Sequence, residues 1–196
     1  SRELLLPILG RTPSLSDEPL LERALDDRRS NVRTTAAGIL DHIDGSAHQQ
    51  RILDAASKLL LLNEERHLMR RRPVLQATLP TEPNAALARD GLTLTVPSNA
   101  RRGVGAHVLA QLVSRIRPSL WEKRFAMSPA QIVAAIGSDQ SPLVVGLSHA
   151  AVTFDDRRWA TALMTHPDAL PVVFVAADPL EVSRAFDDLP DDRRLA

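Results

Sequence analysis

Residues 26–40 read DDRRSNVRTTAAGIL, and this stretch decides the fold class. Its apolar residues recur three and four positions apart, and they would therefore lie on one face of a helix: Val32, Ala36, Ile39 and Leu40. Ser30 is of the residue type that caps such a helix, and Gly45 supplies the left-handed residue that ends it. The stretch therefore predicts an amphipathic helix that follows a charged Asp-Asp-Arg-Arg turn.

Helix signals continue on both sides of this stretch. Ser16 would cap a helix over residues 17–27, and Ser46 with Gln49 forms a capping box for a third helix. The apolar side of that third helix would run from Ile52 to Leu62. Five later helix starts are preceded by Ser or Asp: Ser119, Ser128, Ser141, the pair Asp155-Asp156, and Asp178. The sequence predicts a mainly all-α chain of eight to ten helices.

Residues 73–101 differ from the rest of the chain. The segment LTLTV at 92–96 alternates apolar residues with threonine, which is typical of a half-buried strand. Asp90-Gly91 is a turn signal before it, and Val74–Leu79 is a candidate partner strand. We therefore expect a small β-hairpin or extended insertion at 73–101. It would separate N-terminal HEAT-like helices at 1–72 from C-terminal helical repeats at 102–196, within one continuous domain.

The composition limits the classes of function. Of 196 residues, 44% are apolar, and 24 basic side chains balance 24 acidic ones, so no global positive field attracts nucleic acid or anionic lipid. The chain has no Cys, which excludes disulfides and thiolate metal sites. It has no run of 18 apolar residues and no signal-peptide pattern, so we expect a cytoplasmic protein without a membrane partner.

The segment DRRSNVRTTAA at 27–37 resembles the signature of HEAT repeats. In that pattern Asp26 and Asp27 would accept amides of the turn, Val32 would pack, and Arg33 would reach back to a carboxylate. The fragment DDRR returns at 155–158 and at 191–194. The resemblance implies a HEAT-like or ARM-type α-α superhelix, and an ordinary all-α domain is the alternative.

A wider resemblance covers most of residues 17–165. The blocks LLERALDDRRSNVRTTAAGILDHIDGSAHQQRI, TLP, RDGLTLTVP and AAVTFDDRRWATAL resemble domain of unknown function 5691, a bacterial family common in actinobacteria. No catalytic residues are known for this family. Its members are associated with MoxR-type AAA+ ATPases, von Willebrand A-domain proteins and SWIM zinc-finger proteins, which implies an adaptor role. They are usually longer than this chain, so the resemblance also implies that 1–196 is a fragment.

Motifs that carry chemistry do not appear in the sequence. There is no phosphate-binding glycine loop, no G-x-S-x-G, and no H-E-x-x-H among six histidines. Ser148 and His149 are adjacent, and adjacent side chains on a helix point about 100° apart, so they make a poor catalytic pair. His42 and His48 flank the Gly45 turn without a third metal ligand. We predict no catalytic, cofactor or metal site, and an enzyme of unrecognised type is the least favoured hypothesis.

Two arginine clusters and a tryptophan are the candidate partner contacts. Arg70, Arg71 and Arg72 could form one basic patch with Arg101 and Arg102, although arginines at a helix end also suit its dipole. Trp159 is either a packing residue or a contact residue for a partner. The leading hypothesis is a non-enzymatic protein-interaction scaffold or adaptor with an unidentified protein partner. The alternative is a nucleic-acid-binding superhelix that uses the arginine clusters.

Overall fold

The computed structural model describes residues 6, 9–67, 70–80, 85–95, 103–137, 139–171, 173, 176 and 177. Its chain forms two compact units, and each unit is described by itself. Unit 1 takes in Ser1–Leu59 and Thr78–Ile116, and unit 2 takes in Leu60–Ala77 and Arg117–Ala196. The chain leaves unit 1 after Leu59 and re-enters it at Thr78, whose N–H donates a hydrogen bond to the Leu59 carbonyl over 2.8 Å.

Unit 1 is helical. Its described residues form a 3-10 helix and five α-helices: Leu15–Asp17, α1 Glu18–Ala24, α2 Ser30–Leu40, α3 Ala47–Ser57, α4 Ala85–Arg89 and α5 Val104–Ser114. Helix α2 packs against α1 and α3, and α3 packs against α5. The predicted apolar face of α2 is confirmed, because these side chains are all buried: Val32, Ala36, Ile39, Leu40 and the following Ile43.

The helix caps predicted in unit 1 and the Gly45 turn are found at the predicted residue or within two positions of it. Ser46 caps α3 and accepts a hydrogen bond from the Gln49 N–H over 3.0 Å, as expected. Gly45 has a φ of 79°, the left-handed conformation expected after α2. Ser30 is the first helical residue of α2 instead of its cap, and a capping box at Ser14 precedes the 3-10 helix where a cap at Ser16 was predicted.

The turn between α1 and α2 is held by Asp27. Its carboxylate accepts a hydrogen bond from the Arg29 N–H over 3.0 Å, which confirms the expected role at the turn. Arg33 donates to the main-chain carbonyl of Asp27 over 2.8 Å, so it reaches back to a carbonyl and not to a carboxylate. Asp26 accepts hydrogen bonds from Arg89 instead of turn amides.

The part of unit 2 that the structure describes forms one hairpin and four helices: β1 Leu60–His67, β2 Arg70–Ala77, α6 Ser119–Phe125, α7 Pro129–Ala135, α8 Ser141–Thr153 and α9 Arg157–Leu163. The strands are antiparallel, with Leu60 opposite Ala77 and His67 opposite Arg70. Helix α7 packs against α6, α9 and β2, and α8 packs against α9. Trp121 and Trp159 are the largest fully buried side chains of this unit.

The position of the hairpin differs from the prediction. The predicted third helix ends at Ser57, and the residues expected to extend it, Leu60 and Leu62, belong to β1. The expected strand at 92–96 does not form at residues 92–94. The N–H of Thr93 donates to Gln111 Oε1 over 2.9 Å, and Gln111 Nε2 donates to the Thr93 carbonyl over 2.8 Å. A side-chain amide thus occupies the main-chain groups that a neighbouring strand would have paired.

Helix starts in unit 2 follow the sequence at two of the predicted caps. Ser128 forms the expected capping box with Gln131, and Asp156 accepts a hydrogen bond from the Trp159 N–H over 3.3 Å. Ser119 is not a cap, because Pro118 occupies that position without a side-chain hydrogen bond. The predicted start at Asp178 and the third DDRR lie outside the described residues.

The structure is mainly helical with one small antiparallel hairpin. Within the described ranges there are nine α-helices and a single two-stranded sheet. None of the described helices is both long and apolar enough to span a membrane.

Candidate functional site

The most concentrated set of charged groups lies inside unit 1 and centres on His48. Its side chain is fully buried at the start of α3. His48 Nε2 lies 2.9 Å from Asp41 Oδ1, and His48 Nδ1 lies 3.6 Å from Asp90 Oδ1. The second distance is too long for a hydrogen bond, so that contact is electrostatic. The imidazole is thereby held between two buried carboxylates.

Three arginines surround this centre. Arg51 forms a two-point contact with Asp90, with Nη2–Oδ1 at 2.7 Å and Nε–Oδ2 at 3.1 Å, and it also binds Glu22. Arg89 binds Asp26 and Glu22. Arg115 donates to the carbonyls of Asp90 and Gly91 over 2.7 and 2.8 Å. These contacts join segments that are distant in sequence, so the cluster stabilises the tertiary packing of unit 1.

The protonation states follow from these contacts. Burial lowers the pKa of His48, but the hydrogen bond to Asp41 and the proximity of Asp90 outweigh it and raise the pKa above its ordinary value. Burial raises the pKa of Asp90, but His48 and Arg51 more than compensate and hold that pKa well below its usual range. Hydrogen bonding to Asp90 raises the pKa of Arg51. Folding therefore favours the charged form of each of these groups.

The His48 cluster is closed to a reactant. The side chains of His48, Asp41 and Asp90 are 0%, 9% and 4% exposed, so a substrate would have no access to the imidazole. No metal-binding group of three or more such side chains is found in the described part of the chain. The sequence did not predict this cluster, because its pattern suggested only His42 as a neighbour of His48. His42 is exposed and its ring contacts the Gly38 carbonyl.

An accessible groove lies on unit 2 between the starts of α7 and α9. We call it the α7–α9 groove; its volume is about 410 Å³. Its lining combines apolar, hydroxyl and guanidinium groups: Ser128, Pro129, Ala130, Arg157, Arg158, Thr161 and Ala162. Arg157 is exposed and has no hydrogen-bond or ion-pair partner among the described residues. The groove thus pairs an apolar surface with an available positive charge.

The second DDRR builds one side of this groove. Asp155 adopts a left-handed conformation with a φ of 49°, and Asp156 caps α9. Arg158 donates to Glu122 Oε2 over 2.9 Å. Each of the first two DDRR copies therefore lies at a turn between packed helices, and the second copy also presents Arg157 to solvent.

Trp159, which follows Arg158 in α9, packs in the interior of unit 2. It is fully buried, and its indole N–H donates to Glu122 Oε1 over 3.1 Å. The same carboxylate accepts from Arg158, so Glu122 fixes the start of α9. Two roles were predicted for Trp159, packing and partner contact. This buried environment fits packing.

The predicted arginine clusters fall on the hairpin or outside the described residues. Arg70, Arg71 and Arg72 begin β2 instead of following a helix. Arg71 and Arg72 are exposed, and Arg71 Nη1 lies 3.0 Å from Glu64 Oε2. Arg101 and Arg102 lie outside the described residues, so a shared patch stays a prediction.

Ser148 and His149 do not form a catalytic pair. Ser148 is buried, donates to the Val144 carbonyl over 2.8 Å and accepts from the Leu170 N–H over 3.3 Å. His149 is exposed on α8. The two side chains therefore face different environments, as expected for neighbours on a helix.

Comparison with known proteins gives a family and no further relatives. The chain matches no curated protein and no solved structure. A family model described as "Family of unknown function (DUF5691)" matches residues 1–196, the whole of the sequence. The chain therefore belongs to the DUF5691 family.

Proposed function

We propose that this protein is a non-enzymatic interaction module, a scaffold or adaptor that binds a protein partner through the α7–α9 groove. The observation that carries this proposal is the exposed guanidinium of Arg157 beside the apolar surface of Ala130 and Ala162. Buried apolar contact supplies affinity, and a correctly placed charge supplies orientation and specificity.

The groove favours a particular partner chemistry. A segment with a small apolar side chain can cover the Ala130 and Ala162 surface, and a carboxylate next to it can bind Arg157 at two points. Arg158 is less available, because Glu122 already accepts a hydrogen bond from it. We therefore propose an acidic, partly apolar segment of a partner protein.

Affinity purification from the source organism tests this proposal. A tagged wild-type protein should retain a specific partner, and Arg157→Glu should lower the retained amount at least about tenfold, because a charge-assisted contact is worth about 1.5–3 kcal/mol. Arg23→Glu is the matched control, since Arg23 is an exposed arginine of α1 in unit 1. If no protein is retained by the wild type, or if both variants behave alike, the proposal fails.

Two finer proposals accompany this one. The turns at Asp26–Arg29 and Asp155–Arg158, each between packed helices, support a HEAT-like origin of both helix pairs. The family resemblance supports a bacterial, cytoplasmic adaptor that acts with a MoxR-type AAA+ ATPase and a von Willebrand A-domain protein. Reciprocal purification with each of these two proteins as bait tests the second proposal.

Nucleic-acid binding is a second candidate function. A two-stranded ribbon with Arg66, Arg71 and Arg72 exposed has the shape and charge to contact a nucleic-acid groove. The chain has zero net charge, so any affinity must come from this local cluster. Binding to duplex DNA and RNA over a series of salt concentrations tests it, because a phosphate-contacting site shows a steep salt dependence.

A further inference from the structure

One edge of β1 faces β2, and the other is an outer edge. In the described residues, the main-chain N–H and C=O groups on this outer edge form no hydrogen bonds to another strand. In an antiparallel pair, opposite residues alternate between positions that exchange hydrogen bonds and positions whose main-chain groups point away from the partner strand. The Thr78 N–H donates to the Leu59 carbonyl, so the main-chain groups of these two opposite residues point toward each other. The alternation then directs the main-chain groups of residues 60, 62, 64 and 66 away from β2.

The opposite edge of the hairpin supports this assignment. In the same register the main-chain groups of residues 71, 73, 75 and 77 of β2 point outward. Leu75 forms a bridge with Ile136, and the Ala77 N–H donates to Gln140 Oε1 over 2.8 Å. Pro73, opposite Glu64, has no N–H. Part of the β2 edge is thus occupied, whereas the outward groups of β1 have no partner among the described residues.

Apolar surface lies next to the open edge. A groove of about 440 Å³ is lined by Leu60, Leu61, Leu62, Arg124 and Phe125. Leu61 is 54% exposed and Leu62 is 39% exposed. An unpaired strand edge with exposed leucines is a template for another strand, and proteins usually block such edges unless they are used.

We propose that an extended segment of a partner protein adds to β1 as a third strand. Only an extended chain can satisfy main-chain groups that repeat at every second residue, about 6.8 Å apart. The inference rests on the proposed interaction function, but it concerns a surface separate from the lining of the α7–α9 groove.

The side chains of β1 define the segment that fits. Leu62 and Arg66 lie on the same face of β1, four residues apart, because side chains alternate between faces along a strand. Arg66 is exposed and has no ion-pair partner in the described ranges, whereas Glu64 is paired with Arg71. The partner segment therefore carries an apolar residue and a carboxylate four positions apart.

A second copy of this chain fits the edge less well. An antiparallel pair of two β1 edges must set outward residues opposite outward residues, and the two longest such registers place Leu62 opposite Glu64 or opposite Arg66. Charged groups would then lose water against leucine side chains, which is unfavourable. A heterologous apolar and acidic segment avoids this cost.

A displayed library of random linear peptides is the probe for this site. Selected peptides should share an apolar residue and an Asp or Glu four positions apart. Glu64→Pro removes one outward N–H without removing a hydrogen bond to β2, so it should weaken the selected peptides at least about tenfold. Glu64→Thr loses the same carboxylate and keeps the N–H, so its affinity should stay within about twofold of the wild type.

Several results would overturn the inference. The first is that the library yields no binding peptide. The second is that Glu64→Pro and Glu64→Thr bind the selected peptides equally while both keep the wild-type melting temperature. The third is that the wild-type protein sediments as a dimer and Glu64→Pro sediments as a monomer. The last result would assign the edge to a second copy. A different result would be that a native partner is still captured in an Arg157-dependent way although Glu64→Pro does not change the affinity for the peptides. In that case the interaction function is supported and strand addition is wrong.

Discussion

At the scale of single residues, His48 links the stability of unit 1 to pH. Asp41, Asp90, Arg51 and Arg115 surround it, and the two carboxylates lie nearest the ring. Because the folded protein raises the pKa of His48 above about 6.5, protonation stabilises the fold. This contribution is complete below pH 6.5 and is lost as the pH rises through the pKa of the folded state.

We predict that the unfolding free energy of the protein falls as the pH rises above about 6.5. His48→Gln should be less stable than the wild type at pH 6 and should lose most of this slope. His149→Gln, which changes an exposed histidine outside the cluster, should retain it. Chemical denaturation at a series of pH values measures all three proteins, and an unchanged slope in His48→Gln would contradict the assignment.

Gly91 supplies a second residue-scale prediction. It has a φ of 86°, and a Cβ there would lie 2.6 Å from the Ala37 Cβ. Gly91→Ala should therefore destabilise the protein by about 2–4 kcal/mol, because it adds a steric overlap to an unfavourable backbone conformation.

Gly38→Ala is the matched control for Gly91→Ala. Gly38 lies within α2, and a Cβ there meets no atom within 4 Å. This variant should stabilise the protein by about 0.5–1 kcal/mol through helix propensity. Equal melting temperatures for the two variants would contradict the close packing of Gly91 against α2.

At the scale of secondary-structure elements, local capping chemistry sets several helix starts. We predict that Ser128→Ala costs about 1 kcal/mol, because Ser128 accepts the Gln131 N–H at the start of α7. Ser119→Ala should change stability by less than about 0.5 kcal/mol, since Ser119 makes no capping bond. Thermal denaturation of the two variants distinguishes them, and equal losses would show that the cap at Ser128 is not formed.

Elements were predictable where the signal was local. The apolar face of α2 and the caps at Ser46, Ser128 and Asp156 depend on residues within four positions, and the structure has them. The strand predicted at 92–96 depended on alternation and on the turn signal before it, and Gln111 of α5 takes the main-chain groups of Thr93 instead. The three leucines at 60–62 suit a helix or a strand equally, and pairing with β2 decides between them.

The His48 cluster and the α7–α9 groove could not be predicted from local pattern. Glu22, Asp41, Arg51, Asp90 and Arg115 belong to separate segments, and only tertiary packing brings them together. The groove likewise joins the starts of α7 and α9, which are 28 positions apart from Ser128 to Asp156. Sequence analysis identified the second DDRR as a helix joint but did not show that Arg157 would face solvent.

At the scale of the whole molecule, the two units differ in how they use charge. In unit 1 the arginines Arg51, Arg89 and Arg115 are engaged in internal contacts. In unit 2 exposed arginines border a groove and a strand edge. We therefore propose that unit 2 carries the surfaces that contact a partner.

Site-specific photo-crosslinking in living cells tests the interaction function most directly. A photoreactive amino acid at Ala130 would stand on the exposed apolar surface of the α7–α9 groove, and one at Thr153 would stand at an exposed position at the end of α8. We predict a discrete crosslinked protein from position 130 that Arg157→Glu abolishes, and none from position 153. No crosslink at position 130, or the same products from both positions, would contradict the proposal.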